Sequence, residues 1–250
     1  MVRQYHIALE RGEVGRYVLL PGDPGRCAPI AAAFDDAQLV ASNREYTTYT
    51  GALAGVPVSV MSTGIGAPST AIAVEELAAV GADTFIRVGT AGAISPRLRK
   101  GDLVAALAAV RDEGTTRQYV PLSYPAVTDP DVYHALVSAA ADHGYPLHGG
   151  VIRSTDALYA DLAPETMPLH ALYAHDPNTM WARGGVLCAE MEAAALFVVS
   201  TLHRLRAGCL LTVVNSVGGA IEDEENPSLD PMIATAIGAL RTLIALDAAP

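Results

Sequence analysis

Short apolar runs that end on glycine-rich turns constrain the fold of this chain more than any other feature. Residues 17–20 run into Pro21-Gly22-Asp23-Pro24-Gly25, and residues 57–62 into Thr63-Gly64-Ile65-Gly66-Ala67-Pro68. Residues 84–88 run into Gly89-Thr90-Ala91-Gly92. Runs this short and this apolar read as buried strands, and longer helical patterns alternate with them. An α/β protein follows. Sheets of that class bind ligands at the carboxyl ends of their strands. There turn glycines expose main-chain N–H groups, and helix N-termini add partial positive charge. Gly22, Gly64, Gly66, Gly89 and Gly92 all fall at such ends, although each taken alone reads first as a plain turn residue.

The remaining elements follow from the same patterns. A short helix is expected over 26–34 and extended segments over 38–41 and 46–53. A helix over 69–80 is opened by Pro68 and Ser69. A strand follows over 103–110. Residues 111–127 are polar and proline-bearing and read as a long functional loop. A surface helix is expected over 131–143, and 160–185, with Pro164, Pro168 and Pro177, is the least regular stretch. A helix over 190–205, a buried strand over 209–214 and a helix over 231–246 complete the chain. No linker divides it, so a single domain over 1–250 is expected.

Charge narrows the function. The chain carries 27 acidic residues against 16 basic ones, a formal net charge of -11. That balance argues against nucleic acid and other polyanions as partners, so any anion must be held locally. Arg26, Arg44 and Arg87 each stand at or just after a strand end. Guanidinium groups present rigid forks of donors that match phosphate oxygens. Three of them converging beside glycine turns would hold one small dianion such as orthophosphate. Lys100 is the only lysine, so the abundance of arginine is compositional, and the weight falls on where these three stand.

Other features bound the class. Hydrophobic residues make up 51% and charged residues 17%, enough for a large core. The start, Met-Val-Arg-Gln-Tyr-His, lacks the apolar run of a signal peptide, and 193–202 is too short to span a bilayer. Cys27, Cys188 and Cys209 have neither zinc spacing nor a disulfide pattern. A cytoplasmic, soluble protein with no membrane partner is the expectation.

Two further groups stand out. Glu190-Met191-Glu192 lies where a strand gives way to an apolar helix. It reads either as negative charge complementing a helix dipole or as a carboxylate for a vicinal ribose diol with a methionine against the sugar. His6, beside Ile7 and Leu9, is the third candidate. No P-loop, complete dinucleotide fingerprint, His-Glu-x-x-His or nucleophile elbow is present.

Five motifs in order resemble the hexameric nucleoside phosphorylases, the purine/uridine phosphorylase family, and within it the uridine phosphorylases most. They are Pro-Gly-Asp-Pro-Gly-Arg from Pro21, Asn-Arg-Glu-Tyr-Thr-Thr-Tyr from Asn43, and Ser-Thr-Gly-Ile-Gly-Ala-Pro-Ser from Ser62. Ile-Arg-Val-Gly-Thr-Ala-Gly-Ala-Ile from Ile86 and the Glu-Met-Glu above complete the set. The resemblance runs from His6 to about Leu246. It implies a three-layer α/β/α sandwich around a mixed, partly barrel-like sheet.

The resemblance also implies phosphorolysis of a nucleoside, with phosphate as co-substrate and no organic cofactor. Gly22, Arg26, Arg87 and Thr90 would hold phosphate, with Arg44 supplied by a neighbour. Glu192, Met191 and Thr90 would hold ribose, with the neighbour's His6 near the 5′-hydroxyl. Arg87, Glu192 and Asn215 would be catalytic, and Gly92, Leu158, Glu190 and Asn215 would face the base. Glu45, Ile65 and Ser69 would bind a monovalent cation, commonly potassium, on a dimer axis, with three dimers to a hexamer.

The match departs at the base. Uridine phosphorylases read uracil with a glutamine and an arginine after the segment that is here Ser154-Thr155-Asp156-Ala157-Leu158-Tyr159, and 160–165 offers neither. Leu158 stands for a stacking aromatic, and Ser216 for a further arginine. Asn215 stands where purine-cleaving relatives carry an aspartate. It could donate to N7 of a 6-oxopurine and accept from its N1–H. A purine phosphorylase is therefore the alternative, with a hydrolase or a weak nucleoside-binding protein behind it.

Overall fold

The computed structural model describes residues 3–163, 166–167, 177–217 and 227–249. The first half comprises β1 (Tyr17–Leu20), α1 (Cys27–Ala31), β2 (Asp35–Asn43), β3 (Tyr46–Leu53), β4 (Val56–Met61), α2 (Ala67–Val80), β5 (Thr84–Ala93) and β6 (Leu103–Asp112). Then come α3 (Thr116–Tyr119), β7 (Ala126–Val127), α4 (Pro130–Asp142), β8 (Leu147–Thr155), α5 (Leu158–Leu162) and α6 (Pro177–Arg183). The last are β9 (Cys188–Glu190), α7 (Ala193–Leu202), β10 (Arg206–Asn215) and α8 (Asp230–Ala248).

All four residues of β1 are buried. Val18 and Leu20 join one apolar cluster while Tyr17 and Leu19 join the other. A strand with no polar face must be covered on both sides, and it is. On one side lie α2 and α7, through Val74, Leu77, Leu196 and Phe197. On the other lie α1, α4 and α8, through Ile30, Leu136 and Leu240. The result is the expected three-layer α/β/α sandwich.

β1 pairs in parallel with β4 and with β5, and β4, β3 and β2 continue outward as antiparallel neighbours. Beyond β5 the sheet curls back on itself. β5 pairs with β10 and β9, β10 with β6, β6 with β8, and β8 with β9. These five strands close a barrel with both parallel and antiparallel pairs, the mixed, partly barrel-like sheet of the sequence reading.

Several boundaries differ from expectation, each for a physical reason. β5 does not stop at Val88 but runs on through Gly89-Thr90-Ala91-Gly92 to Ala93. Gly89 is there for space: a Cβ would lie 2.8 Å from Cζ of Arg87. The loop expected over 111–127 is instead the end of β6, then α3 and β7. Arg111 gathers that stretch, donating to Thr116 Oγ1 and to the carbonyls of Val120, Pro121 and Tyr124. The helix expected from Glu190 begins only at Ala193, because Cys188–Glu190 is a strand. β8 went unassigned from sequence, its Gly149 and Gly150 hiding the pattern. A Cβ on Gly149 would meet Tyr133 Oη at 2.1 Å. α4 is only half a surface helix, since Val132, Ala135, Leu136 and Ala139 are buried with α8.

Candidate active site

The turn after β1 positions the first arginine. Asp23 accepts from the Gly25 N–H at 2.8 Å, nucleating a 3-10 turn over Pro24–Arg26 that sets Arg26 at the carboxyl edge of the sheet. Arg87 extends from the middle of β5 with its side chain only 6% exposed. Its Nε donates to Glu190 Oε2 at 2.8 Å, and its Nη2 meets Glu192 Oε2 at 2.5 Å. Nη1, also buried, has no hydrogen-bond partner. A Cβ placed on Gly22 would lie 4.0 Å from that nitrogen and 3.2 Å from the Gly64 carbonyl. A side chain at Gly22 would therefore crowd the Gly64 carbonyl and come into contact with Arg87.

A buried polar donor without an acceptor costs about 1–3 kcal/mol, and a charged one more. A guanidinium held this way is preorganised for an acceptor that arrives from solution. Arg26 strengthens that reading. Burial and the nearby charge of Arg87 push its pKa down, with Asp23 opposing. Two cations close enough to disfavour each other form an arrangement that can receive an anion, although Asp23, Glu190 and Glu192 also pair with them. Thr90, partly exposed, lies three residues farther along β5.

The paired carboxylates resolve differently. Glu190, with no side-chain exposure, accepts from the N–H groups of Glu192 and Ala193, from Arg87 and from Ser154 Oγ. It caps α7, which is the helix-dipole reading. Glu192 is held across the site instead, its Oε1 accepting from the Gly66 N–H at 2.5 Å. Burial raises the Glu192 pKa, Arg87 pulls it down and Glu190 pushes it up, with a net rise. Burial also works against the Arg87 charge, but Glu192 and Glu190 outweigh it and raise its pKa. Met191 stands between the two glutamates, partly exposed.

A register row runs around the barrel rim. Asn215 of β10 is opposite Gly92 of β5, Gly92 opposite Ala189 of β9, and Ala189 opposite Arg153 of β8. Asn215 Oδ1 lies 3.3 Å from where a Gly92 Cβ would be and accepts from the Ala93 N–H. The structure thus brings Asn215 and Gly92 together. Leu158, 40% exposed, opens α5 just after β8.

His6 and Arg44 form a second group. Asn43 Nδ2 donates to the His6 carbonyl at 2.7 Å, and Arg44 lies over the ring of exposed Tyr5 at 5.7 Å. Arg44 takes the tight turn between β2 and β3 with a φ of 55°, left-handed backbone that is uncommon outside glycine. Among the described residues no carboxylate pairs with it. His6 Nδ1 is 2.6 Å from Glu76 Oε1, and Glu76 also accepts from the N–H groups of His6 and Ile7. Gly66 caps the start of α2 and Glu76 lies ten residues along it, an axial rise of roughly 15 Å at 1.5 Å per residue. His6 and Glu192 of one chain are therefore anchored at points ten residues apart along α2.

The expected cation ligands also converge. Ser69 Oγ donates to the carbonyls of Ile65 and Gly66 at 3.2 and 3.1 Å. Glu45 packs so closely on Gly64 that a Cβ there would meet its Cγ at 2.8 Å, with Ser69 Oγ 3.6 Å from the same point. A carboxylate, a carbonyl and a hydroxyl suit a hard monovalent cation. The Ile65 side chain beside them is 78% exposed.

The family model described as "Phosphorylase superfamily" matches residues 16–246. The chain belongs to the phosphorylase superfamily. It is 49% identical over 227 residues to a uridine phosphorylase of Thermococcus kodakarensis, covering 88% of this chain and 82% of that protein. A uridine phosphorylase of Treponema pallidum is 44% identical, covering 98% and 95% of the two chains. A guanosine phosphorylase of Halorubrum lacusprofundi is 41% identical, covering 91% of each.

Sequence reasoning overlooked three residues that order this phosphorylase site. Glu76 was given no role, Asn43 stood in a motif without a role of its own, and Arg153 lay inside a segment not recognised as a strand. Residues 164–165 and 168–176, within the irregular stretch, lie outside the described residues.

Proposed function

We propose that the protein is a nucleoside phosphorylase of the uridine phosphorylase type. It cleaves the N-glycosidic bond of a ribo- or deoxyribonucleoside with orthophosphate, giving free base and the sugar 1-phosphate. The observation that carries this reading is the unpartnered, buried Nη1 of Arg87 beside Gly22, with Arg26 at hand. Sequence likeness to relatives named uridine and guanosine phosphorylases supports it.

In the reaction a phosphate oxygen bonds to C1′ as the C1′–N bond breaks. Its electron pair passes to the base, which takes up a proton. Positive charge grows on the sugar, and the phosphate dianion held by Gly22, Arg26, Arg87 and Thr90 offsets it. Glu192 accepts from the ribose hydroxyls, and Met191 packs against the ring. Glu190 acts by fixing Arg87 and the start of α7. No covalent enzyme intermediate and no organic cofactor are needed, since positioning and electrostatics supply the catalysis.

We further propose a shared site. Arg44 of the partner subunit completes the phosphate cradle, and His6 of the partner subunit reaches the 5′-hydroxyl. The separation of His6 from Glu192 along α2 supports this. So do the exposed Tyr5, beside Arg44, and the exposed Ile65, beside Ser69. Potassium at Glu45, Ile65 and Ser69 would sit at that interface, in a dimer that builds a hexamer. A cytoplasmic location accords with three free, buried cysteines.

For the base, uracil is the first reading and a 6-oxopurine the second. Asn215 over Gly92 favours the second, because its amide N–H groups can donate to N7 and O6 of a 6-oxopurine. A panel of uridine, thymidine, inosine, guanosine and adenosine, assayed with and without phosphate, tests both. Base release that needs phosphate or arsenate is expected. Equal release in phosphate-free buffer would make the protein a hydrolase, and binding without release would make it a sensor.

A further inference from the structure

We propose that Arg153 is the positioning residue of the base-side segment α5 and thereby sets base selectivity, an inference that rests on the phosphorolysis reading. The Arg153 side chain is 5% exposed, yet it carries a full charge. Its Nε donates to Asp112 Oδ2 at 2.7 Å. Nη1 and Nη2 donate to the two oxygens of Asp161 at 2.9 and 3.2 Å, and Nη2 also reaches Thr155 Oγ1 at 3.4 Å. Asp112 ends β6, Arg153 lies near the end of β8, and Asp161 belongs to α5. One guanidinium thus ties two barrel strands to the segment that begins at Leu158.

Among the described residues that segment has little else to hold it beyond Asn178 Nδ2, which donates to the Asp161 carbonyl at 3.3 Å. None of its residues is buried, its start has no side-chain cap, and Leu158, Tyr159 and Leu162 are 40%, 73% and 43% exposed. Apolar packing cannot fix so exposed a turn, so the clamp must. Burying an arginine is costly unless its donors are matched, and two-pronged pairing with a carboxylate is what a guanidinium offers and an ammonium does not. The place matters as well. Arg153 stands on the register row that starts at Asn215, and its neighbour Ser154 donates to Glu190. Between Asn215 and Arg153 stand only Gly92 and Ala189, small residues spanning three strand spacings, roughly 14 Å. A flat base lying over that floor meets Asn215 at one end and the segment that Arg153 orders at the other.

The test compares wild type with Arg153→Met, Arg153→Lys and Asp161→Asn in uridine and guanosine phosphorolysis. Arg153→Met should raise the nucleoside KM at least tenfold and narrow the ratio of kcat/KM between the two nucleosides at least threefold. Its phosphate KM should stay within twofold. Arg153→Lys should recover only part of the loss, and amide hydrogen exchange over 158–162 should quicken in Arg153→Met alone or most. Unchanged base ranking and nucleoside KM overturn the proposal. Nucleoside and phosphate KM rising together overturn it too, because that is general damage. Should Arg153→Met fail to fold, Asp161→Asn on the exposed segment carries the same readouts. Wild type without phosphate-dependent release would sink the phosphorolysis reading. The clamp would then stand or fall on the exchange rates of 158–162.

Discussion

Arg87 and Glu192 meet through Nη2 and Oε2 at 2.5 Å, both almost wholly buried, while Arg87 Nη1 remains without a partner. Glu190 takes Nε of the same guanidinium, so one buried positive charge faces two negative ones. The arrangement holds Arg87 rigid for an incoming anion, and Glu192 holds a proton more tightly than an ordinary carboxylate does. Its proton affinity is raised by burial first, with Arg87 opposing and Glu190 adding.

A pH dependence follows from that raised affinity. Glu192 must be ionised to accept from ribose hydroxyls, so the acid limb of the kcat/KM profile should lie above the ordinary carboxylate value of 4.5. The stability sign is the reverse. The folded state holds this proton more tightly than the unfolded chain does. The group's contribution is thus fully present below 4.5 and is lost as pH rises through the higher folded value. Glu192→Gln should therefore cost about 100-fold in kcat/KM while leaving Tm unchanged or higher. Thermal melts at neutral pH check it, and a large drop in Tm with activity retained would sink it.

Arg87→Ala should raise the phosphate requirement far more than the nucleoside requirement. Loss of a charge-assisted contact to a dianion should remove on the order of 2–4 kcal/mol of transition-state stabilisation. Steady-state kinetics in limiting and saturating phosphate measure it. Unchanged kinetics in both would take Arg87 out of the site.

Potassium should stabilise the assembled protein relative to choline at equal ionic strength, by binding only the folded state. Glu45→Gln should abolish most of that difference in Tm, since it removes the one charged ligand of the group. A potassium effect of the same size in the variant would place the cation elsewhere.

Mixing inactive Arg44→Ala with inactive Glu192→Ala subunits should restore activity. A mixed dimer has one site with both defects and one with neither. Random pairing makes half the dimers mixed, so roughly a quarter of all sites become intact, by the symmetry of an isologous interface. No recovery after subunit exchange is demonstrated by mass spectrometry would mean that Arg44 serves its own subunit.

Much of the site could be read from contiguous residues. Pro21-Gly22-Asp23-Pro24-Gly25-Arg26 encodes its own turn, because Asp23 caps it within three residues, and the arginine follows at a fixed offset. The apolar residues of β1 announce a strand covered on both faces by their composition alone. The same local logic failed at β5, where Gly89 looked like a turn residue but is small to admit a guanidinium.

What the sequence by itself determined, then, was the α/β alternation, the glycine turns after β1 and β4 and the placing of Arg26 just past a strand end, whereas Arg87 lies within β5. These depend on side-chain period and turn chemistry within a few residues. Tertiary structure decided the partners of the buried charges. Glu190 and Glu192 are the same residue two positions apart, yet a strand ends at the first and a helix begins after the second. One caps that helix, and the other reaches Gly66, 126 positions away. Arg153 acquires meaning only when the barrel closes and sets β6 and α5 on either side of it. A buried charge must find its counter-charge wherever the fold supplies one, and that choice is made by long-range strand register, which no local window contains.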